Sequence, residues 1–168
     1  MQHLVEWFTG NLSGVVSKEM IIFIISMIPI LELRGGLLAA SPALLDVPIL
    51  KAIPICILGN LIPIPFILLL ITKLFAWMKK IGPLGKIAEK LEAKAMSKSD
   101  NIKEYEFLGL VLFVGIPLPG TGAWTGALIA ALINTDFKKA IFSILIGIFI
   151  ATIIMSIISY GLLGILVR

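Results

Sequence analysis

Two stretches of this chain, residues 20–71 and 107–167, are almost continuously apolar, and prolines and glycines break each of them part-way. The first contains Glu32-Leu33-Arg34-Gly35-Gly36 and later Pro54, Gly59-Asn60, Pro63 and Pro65; the second contains Pro117-Leu118-Pro119-Gly120-Thr121-Gly122. Of 168 residues, 59% are hydrophobic and 14% charged. A soluble domain is about 45–50% apolar with glycine counted and about 25% charged. A fold of this size has too little interior to hide the excess. The composition excludes a soluble enzyme, a disordered chain and a nucleic-acid module. It predicts an all-α integral membrane protein, multi-pass, in the inner (plasma) membrane.

Cys56 is the single cysteine, so no disulfide can close within the chain, and His3 is the single histidine, which excludes most zinc sites and any histidine-based triad. No nucleophile–base pair or metal set is visible, so no enzyme, cofactor or metal is expected. No Lys or Arg precedes Lys18, so the positive start of a cleavable signal is missing, and the apolar segments themselves are expected to target the membrane.

The sequence divides a single membrane domain, 1–168, into four parts. Residues 1–18 place Leu4, Trp7, Phe8, Leu12, Val15 and Val16 near one helical face, as in an interfacial helix. Residues 19–72 hold an apolar stretch from Met20 to about Leu45 and another from about Ile49 to Ile71. Residues 73–106 are the polar segment, with eight lysines against five acids and a stripe at Lys86, Lys90, Lys94 and Lys98. This reads as a basic amphipathic linker, solvated or lying on an anionic membrane surface, and cytoplasmic in either case. Residues 107–168 hold a broken stretch from Phe107 to Ile133 and a final run from about Ala140 to Val167, long enough to span.

An offset of 88 aligns the halves: Ile28-Pro29 with Ile116-Pro117, Ala39 with Ala127, Lys51-Ala52-Ile53 with Lys139-Ala140-Ile141, and Gly59 with Gly147. Inverted-repeat transporters leave such a trace. Were 107–133 to cross the bilayer, Lys138 and Lys139 would lie opposite the lysine-rich linker; a hairpin that enters and returns keeps all of them inside. The fold predicted is an inverted repeat of two re-entrant helical hairpins, each followed by a transmembrane helix, with interfacial amphipathic helices added. The rival is a four-span bundle. In the predicted fold Asp46 and Arg168 are external, and the hairpin tips meet near the midplane, where irregular backbone must be satisfied by protein. Small residues at four-residue spacing, Gly35/Ala39, Gly122/Gly126/Ala130 and Ser143/Gly147/Ala151, predict close helix contacts.

Charges at that depth are costly. Glu32 and Arg34 are therefore candidates for a protonatable gate and an anion contact, with a structural ion pair, or Arg34 capping tip carbonyls, as the other role open to them. In the second tip Thr121 is placed as N-cap of the returning arm, with Gly120, Gly122 and Thr125 beside it. Free N–H groups of that half-helix would suit an anion. Trp124 either stacks on substrate or fills the core, and Asn60 either lines the site or satisfies carbonyls freed by Pro63 and Pro65. Thr152, Ser156 and Tyr160 make a polar stripe that faces a cavity or bonds back to its own helix.

Pro29-Ile30-Leu31-Glu32-Leu33-Arg34-Gly35-Gly36, Gly59-Asn60-Leu61-Ile62-Pro63 and the segment from Pro117 to Gly126 together resemble the small multidrug export protein family from about residue 20 onward. That family looks like a compact relative of the DedA (VTT-type) superfamily. The resemblance implies two facing re-entrant hairpins and translocation of lipid or small molecules, polyprenyl-phosphate carriers among them. Where that superfamily carries arginines in its second hairpin, this chain has none and places Arg34 in the first. The function expected is a transporter or flippase-like protein, a homodimer among membrane lipids, moving an anionic amphipathic substrate such as a polyprenyl-phosphate lipid. The alternatives are a proton-coupled small multidrug exporter acting through Glu32 and a non-transporting membrane scaffold. No nucleic-acid partner is expected.

Overall fold

The computed structural model describes residues 2–12 and 14–162, and among them every regular element is a helix. The expected external Arg168 lies outside these residues. Helix α1 (Gln2–Leu12) turns Val5 and Thr9 inward, with Phe8 and Leu12 against the core, and leaves Leu4 and Trp7 exposed. Helix α2 (Lys18–Met27) starts where the Ser17 hydroxyl accepts the Met20 N–H at 3.2 Å. It packs on α3 (Glu32–Ala40) across the first break, residues 28–31. This tip is strained: Ile30 has φ 82° and Glu32 φ 50°, both in the left-handed region that non-glycine residues rarely occupy.

Helices α4 (Ile49–Leu61) and α5 (Pro63–Met78) form one apolar rod. Ile62 keeps helical dihedrals between them, and Pro63 sits where the missing N–H costs least, at the start of α5. The rod holds 30 residues, about 45 Å at helical rise, more than the roughly 30 Å hydrocarbon core. It outruns the predicted end at Ile71 because Leu74, Phe75 and Trp77 continue the apolar pattern beyond Lys73. Helix α6 (Gly82–Met96) folds back on α5, held by the Lys79–Glu92 ion pair, with Gly85, Ala88 and Ala95 inward and Ile87 and Leu91 exposed.

Helix α7 (Asp100–Gly115) leads to the second break, 116–122, and α8 (Ala123–Leu132) follows it. Helix α9 (Phe137–Ser156) begins where the Asp136 carboxylate accepts the Lys138 and Lys139 N–H groups, both at 3.1 Å, and it ends in a π-helical turn, Ile157–Leu162. With that turn it too is long and apolar enough to span a membrane. Leu50, Leu58, Phe66, Phe142, Phe149 and Ile153 stay exposed on the two long helices. Such apolar surface is expensive in water and costs nothing in lipid, and the chain is a membrane protein.

Two close contacts pin the long helices. A Cβ at Gly59 would sit 2.7 Å from the Phe23 carbonyl and 3.0 Å from the Ser26 Cβ; one at Gly147 would sit 3.0 Å from the Val111 carbonyl and 2.6 Å from the Val114 Cβ. Gly59 and Gly147, Phe23 and Val111, Ser26 and Val114 are each related by the offset of 88. The first long helix thus meets α2 as the last meets α7. The other small residues also fall at contacts: Ala39, Ala130, Ser143 and Ala151 are buried, and Gly126 faces Val114 and Leu110.

Candidate functional site

The first break delivers two opposite charges to the second. Glu32, buried at the start of α3, accepts the Ala123 N–H at 2.9 Å through Oε2 and the Trp124 N–H at 3.0 Å through Oε1. These are orphan donors of the first turn of α8, so a carboxylate from 91 residues away caps that helix. Arg34, two residues on and also buried, donates through Nη1 to the Leu118 carbonyl at 2.9 Å. Its Nη2 donates to the carbonyls of Ile116 at 3.2 Å and Val114 at 3.3 Å and to the Thr121 hydroxyl at 3.1 Å. The guanidinium thereby covers carbonyls released where α7 ends and the tip begins.

Glu32 and Arg34 make no ion pair with each other, unlike Lys79 and Glu92 on the α5–α6 surface. Both charges are spent on the backbone of the second tip: carboxylate on N–H groups, guanidinium on C=O groups. Thr121 is not the N-cap of α8. Its hydroxyl lies 3.0 Å from the Ile116 carbonyl and 2.9 Å from that of Leu118, inside the tip, while Gly122 holds the cap position and Glu32 supplies the capping oxygens. A carboxylate with two acceptor oxygens satisfies two donors at once and carries full charge against the helix dipole, which one hydroxyl cannot do.

The glycines of the tip make room for charged side chains. Gly122 has φ 136°, and a Cβ there would strike the Glu32 carboxylate; Gly120 has φ 77°, and a Cβ there would strike the Lys98 ammonium. Lys98, in the turn between α6 and α7, donates to the Gly120 carbonyl at 2.6 Å. The lysine spacing places Lys98 in a surface stripe. No local signal sets Lys98 apart from the other lysines of that stripe, because its partner Gly120 lies beyond the whole of α7.

Of the other candidates, Asn60 is buried with Oδ1 lacking a hydrogen-bond partner, and the indole nitrogen of Trp124 is likewise buried and unpartnered. Thr125 is half-buried on the first turn of α8. The polar stripe splits: Thr152 bonds back to the Ile148 carbonyl at 2.7 Å, the hydroxyl oxygen of half-buried Ser156 is enclosed without a partner, and the Tyr160 hydroxyl, in the π-helical turn, reaches the carbonyls of Val47 at 2.8 Å and Ala40 at 3.1 Å. No cluster of three or more metal-ligating side chains occurs among the described residues.

Two helices able to span a membrane, apolar surface turned outward, and two buried charges locking one broken helix pair to the other define a helical membrane protein; that it is a membrane transporter follows from its family. The chain belongs to the small multidrug export family: the family described as "Putative small multi-drug export protein" matches residues 32–154, a span that contains Glu32, Arg34, the second tip, Asn60 and Lys98. No curated protein and no solved structure matches it.

Proposed function

We propose that the chain exports amphipathic molecules, an anionic lipid such as a polyprenyl phosphate first among them, by opening and closing the contact between its two tips. In this reading α2–α3 and α7–α8 are re-entrant hairpins entering from opposite faces, the long helices run antiparallel in the inner membrane, and two copies enclose the path. The recurrence of the Gly59 contacts at Gly147 supports the repeat. A relationship to the DedA superfamily belongs to the same reading.

The observation that carries the proposal is the carboxylate of Glu32 on the Ala123 and Trp124 N–H groups. A resident anion occupies the helix terminus where a substrate anion would bind. A proton on Glu32 removes that negative charge and weakens its hold on the two N–H groups, so proton uptake and release of the tip are one event. An anionic head group can then take the place of the carboxylate, with the Arg34 guanidinium alongside. Glu32 serves as gate and Arg34 as the fixed cation of the site. The same saturation of Glu32 and Arg34 by backbone favours one rival, a scaffold in which the contact is permanent.

The test is transport by proteoliposomes under an imposed pH gradient, with labelled polyprenyl phosphate and with cationic dyes. Glu32→Gln should abolish gradient-driven transport. Arg34→Ala should reduce transport of the anionic lipid far more than that of the dyes, with Arg34→Lys between Arg34→Ala and the parent, since lysine keeps the charge and loses the planar fork. Loss confined to dyes in Glu32→Gln would favour a cation exporter. Parent protein moving neither substrate would favour the scaffold.

A further inference from the structure

A groove of about 810 Å³ opens beside the tip contact, within the range of roughly 300–1,000 Å³ typical of small-molecule sites. Its floor is a stripe of α7, Leu108, Leu112 and Phe113, which helical spacing sets on one face, continued by Ile116 at the start of the second break. Leu118 and Pro119 of the second tip form a wall, and the polar end is made by Lys98 and Thr121. Leu108, Leu112 and Leu118 are each more than half exposed. Ordinary lipid-facing surface is convex and uncharged; this trough is concave and ends on an ammonium.

That ammonium is held in place. Its bond to the Gly120 carbonyl uses one of three N–H donors and leaves two. The absent side chain of Gly120 is what gives it space, because a Cβ there would strike Nζ. Among the described residues no acidic side chain lines the groove. A cationic amphiphile would meet like charge, and a small free anion would leave the apolar floor unused.

We infer that the groove binds a single-chain anionic amphiphile from the surrounding membrane, head group on the Lys98 ammonium and alkyl chain along α7. This deepens the export reading by giving its anionic amphiphile a docking site outside the Glu32–Arg34 contact, and rests on that reading only for the step after binding. The groove shares Thr121 with the contact between the tips. A molecule seated there lies next to the backbone that Glu32 and Arg34 hold.

The experiment is equilibrium binding of radiolabelled dodecyl phosphate to the full chain in phosphatidylcholine nanodiscs, with no gradient applied. Binding should be saturable and weaken about tenfold in Lys98→Gln, the size expected for one charge-assisted contact. Lys98→Arg should restore it. Dodecyltrimethylammonium and inorganic phosphate should fail to compete. In the parent chain, dodecyl phosphate with a diazirine at the chain end should label residues 108–116, a readout that needs no variant to fold. Equal affinity in folded Lys98→Gln, equal competition by the cation, or labelling confined to other segments would overturn the assignment. Specific binding without transport in proteoliposomes would refute the export reading and leave the groove assigned; transport with the label elsewhere would do the reverse.

Discussion

Replacing Glu32 by glutamine tests the contact between the tips most directly, because the side chain keeps its shape and loses its charge. The carboxylate now meets two N–H groups, those of Ala123 and Trp124. An amide offers one oxygen, so one bond falls from charge-assisted to neutral, about half its former strength. The other N–H is left buried and unmet, at about 1–3 kcal/mol. Attraction to the α8 dipole, up to ~2 kcal/mol in partly buried sites, goes with the charge. These losses overlap, and about 3 kcal/mol is their combined size. For a chain of this length that lowers Tm by roughly 6–12 °C. The assay is thermal unfolding of the purified protein in nanodiscs, parent against Glu32→Gln, with Gly122→Ala and the double variant completing a cycle. Gly122→Ala drives a methyl toward the same carboxylate, so the two losses should fail to add by at least about 0.5 kcal/mol. A Glu32→Gln protein melting within about 1 °C of the parent, or strictly additive losses, would refute the capping argument.

Gly126→Leu should unfold or inactivate the protein, since even a Cβ there would sit 2.8 Å from Val114 Cγ2; unchanged Tm and transport would show that α7 and α8 can separate freely. Tyr160→Phe should cost about 1 kcal/mol, one hydrogen bond to the Val47 or Ala40 carbonyl, read as a Tm lower by roughly 2–4 °C. In a Cys56→Ala background, single cysteines at Asp100 and Lys138 should be labelled from the cytoplasm and one at Asp46 from outside. Opposite sidedness at positions 100 and 138 would exclude the re-entrant second hairpin.

Local composition and spacing determined much about this protein. Apolar runs must be helical in lipid, because no other partner satisfies their backbone, and so the long helices and the positions of both breaks were legible in the chain. The spacing of small residues marked Gly147 as a close contact but not Gly59, although a neighbouring backbone excludes a side chain at both. Glu32 and Arg34 stood out because charge in an apolar run has to be compensated. What compensates them is not written near them. Local capping rules pointed to Thr121, yet the donors of α8 are met by a carboxylate 91 residues earlier, and the carbonyls of the second tip by a guanidinium from the first. Lys98 looked like one more surface lysine until the fold laid the α6–α7 turn against Gly120. A chain shows which groups need partners through local chemistry; only packing, which brings distant segments within about 3 Å hydrogen-bond range, decides who the partners are.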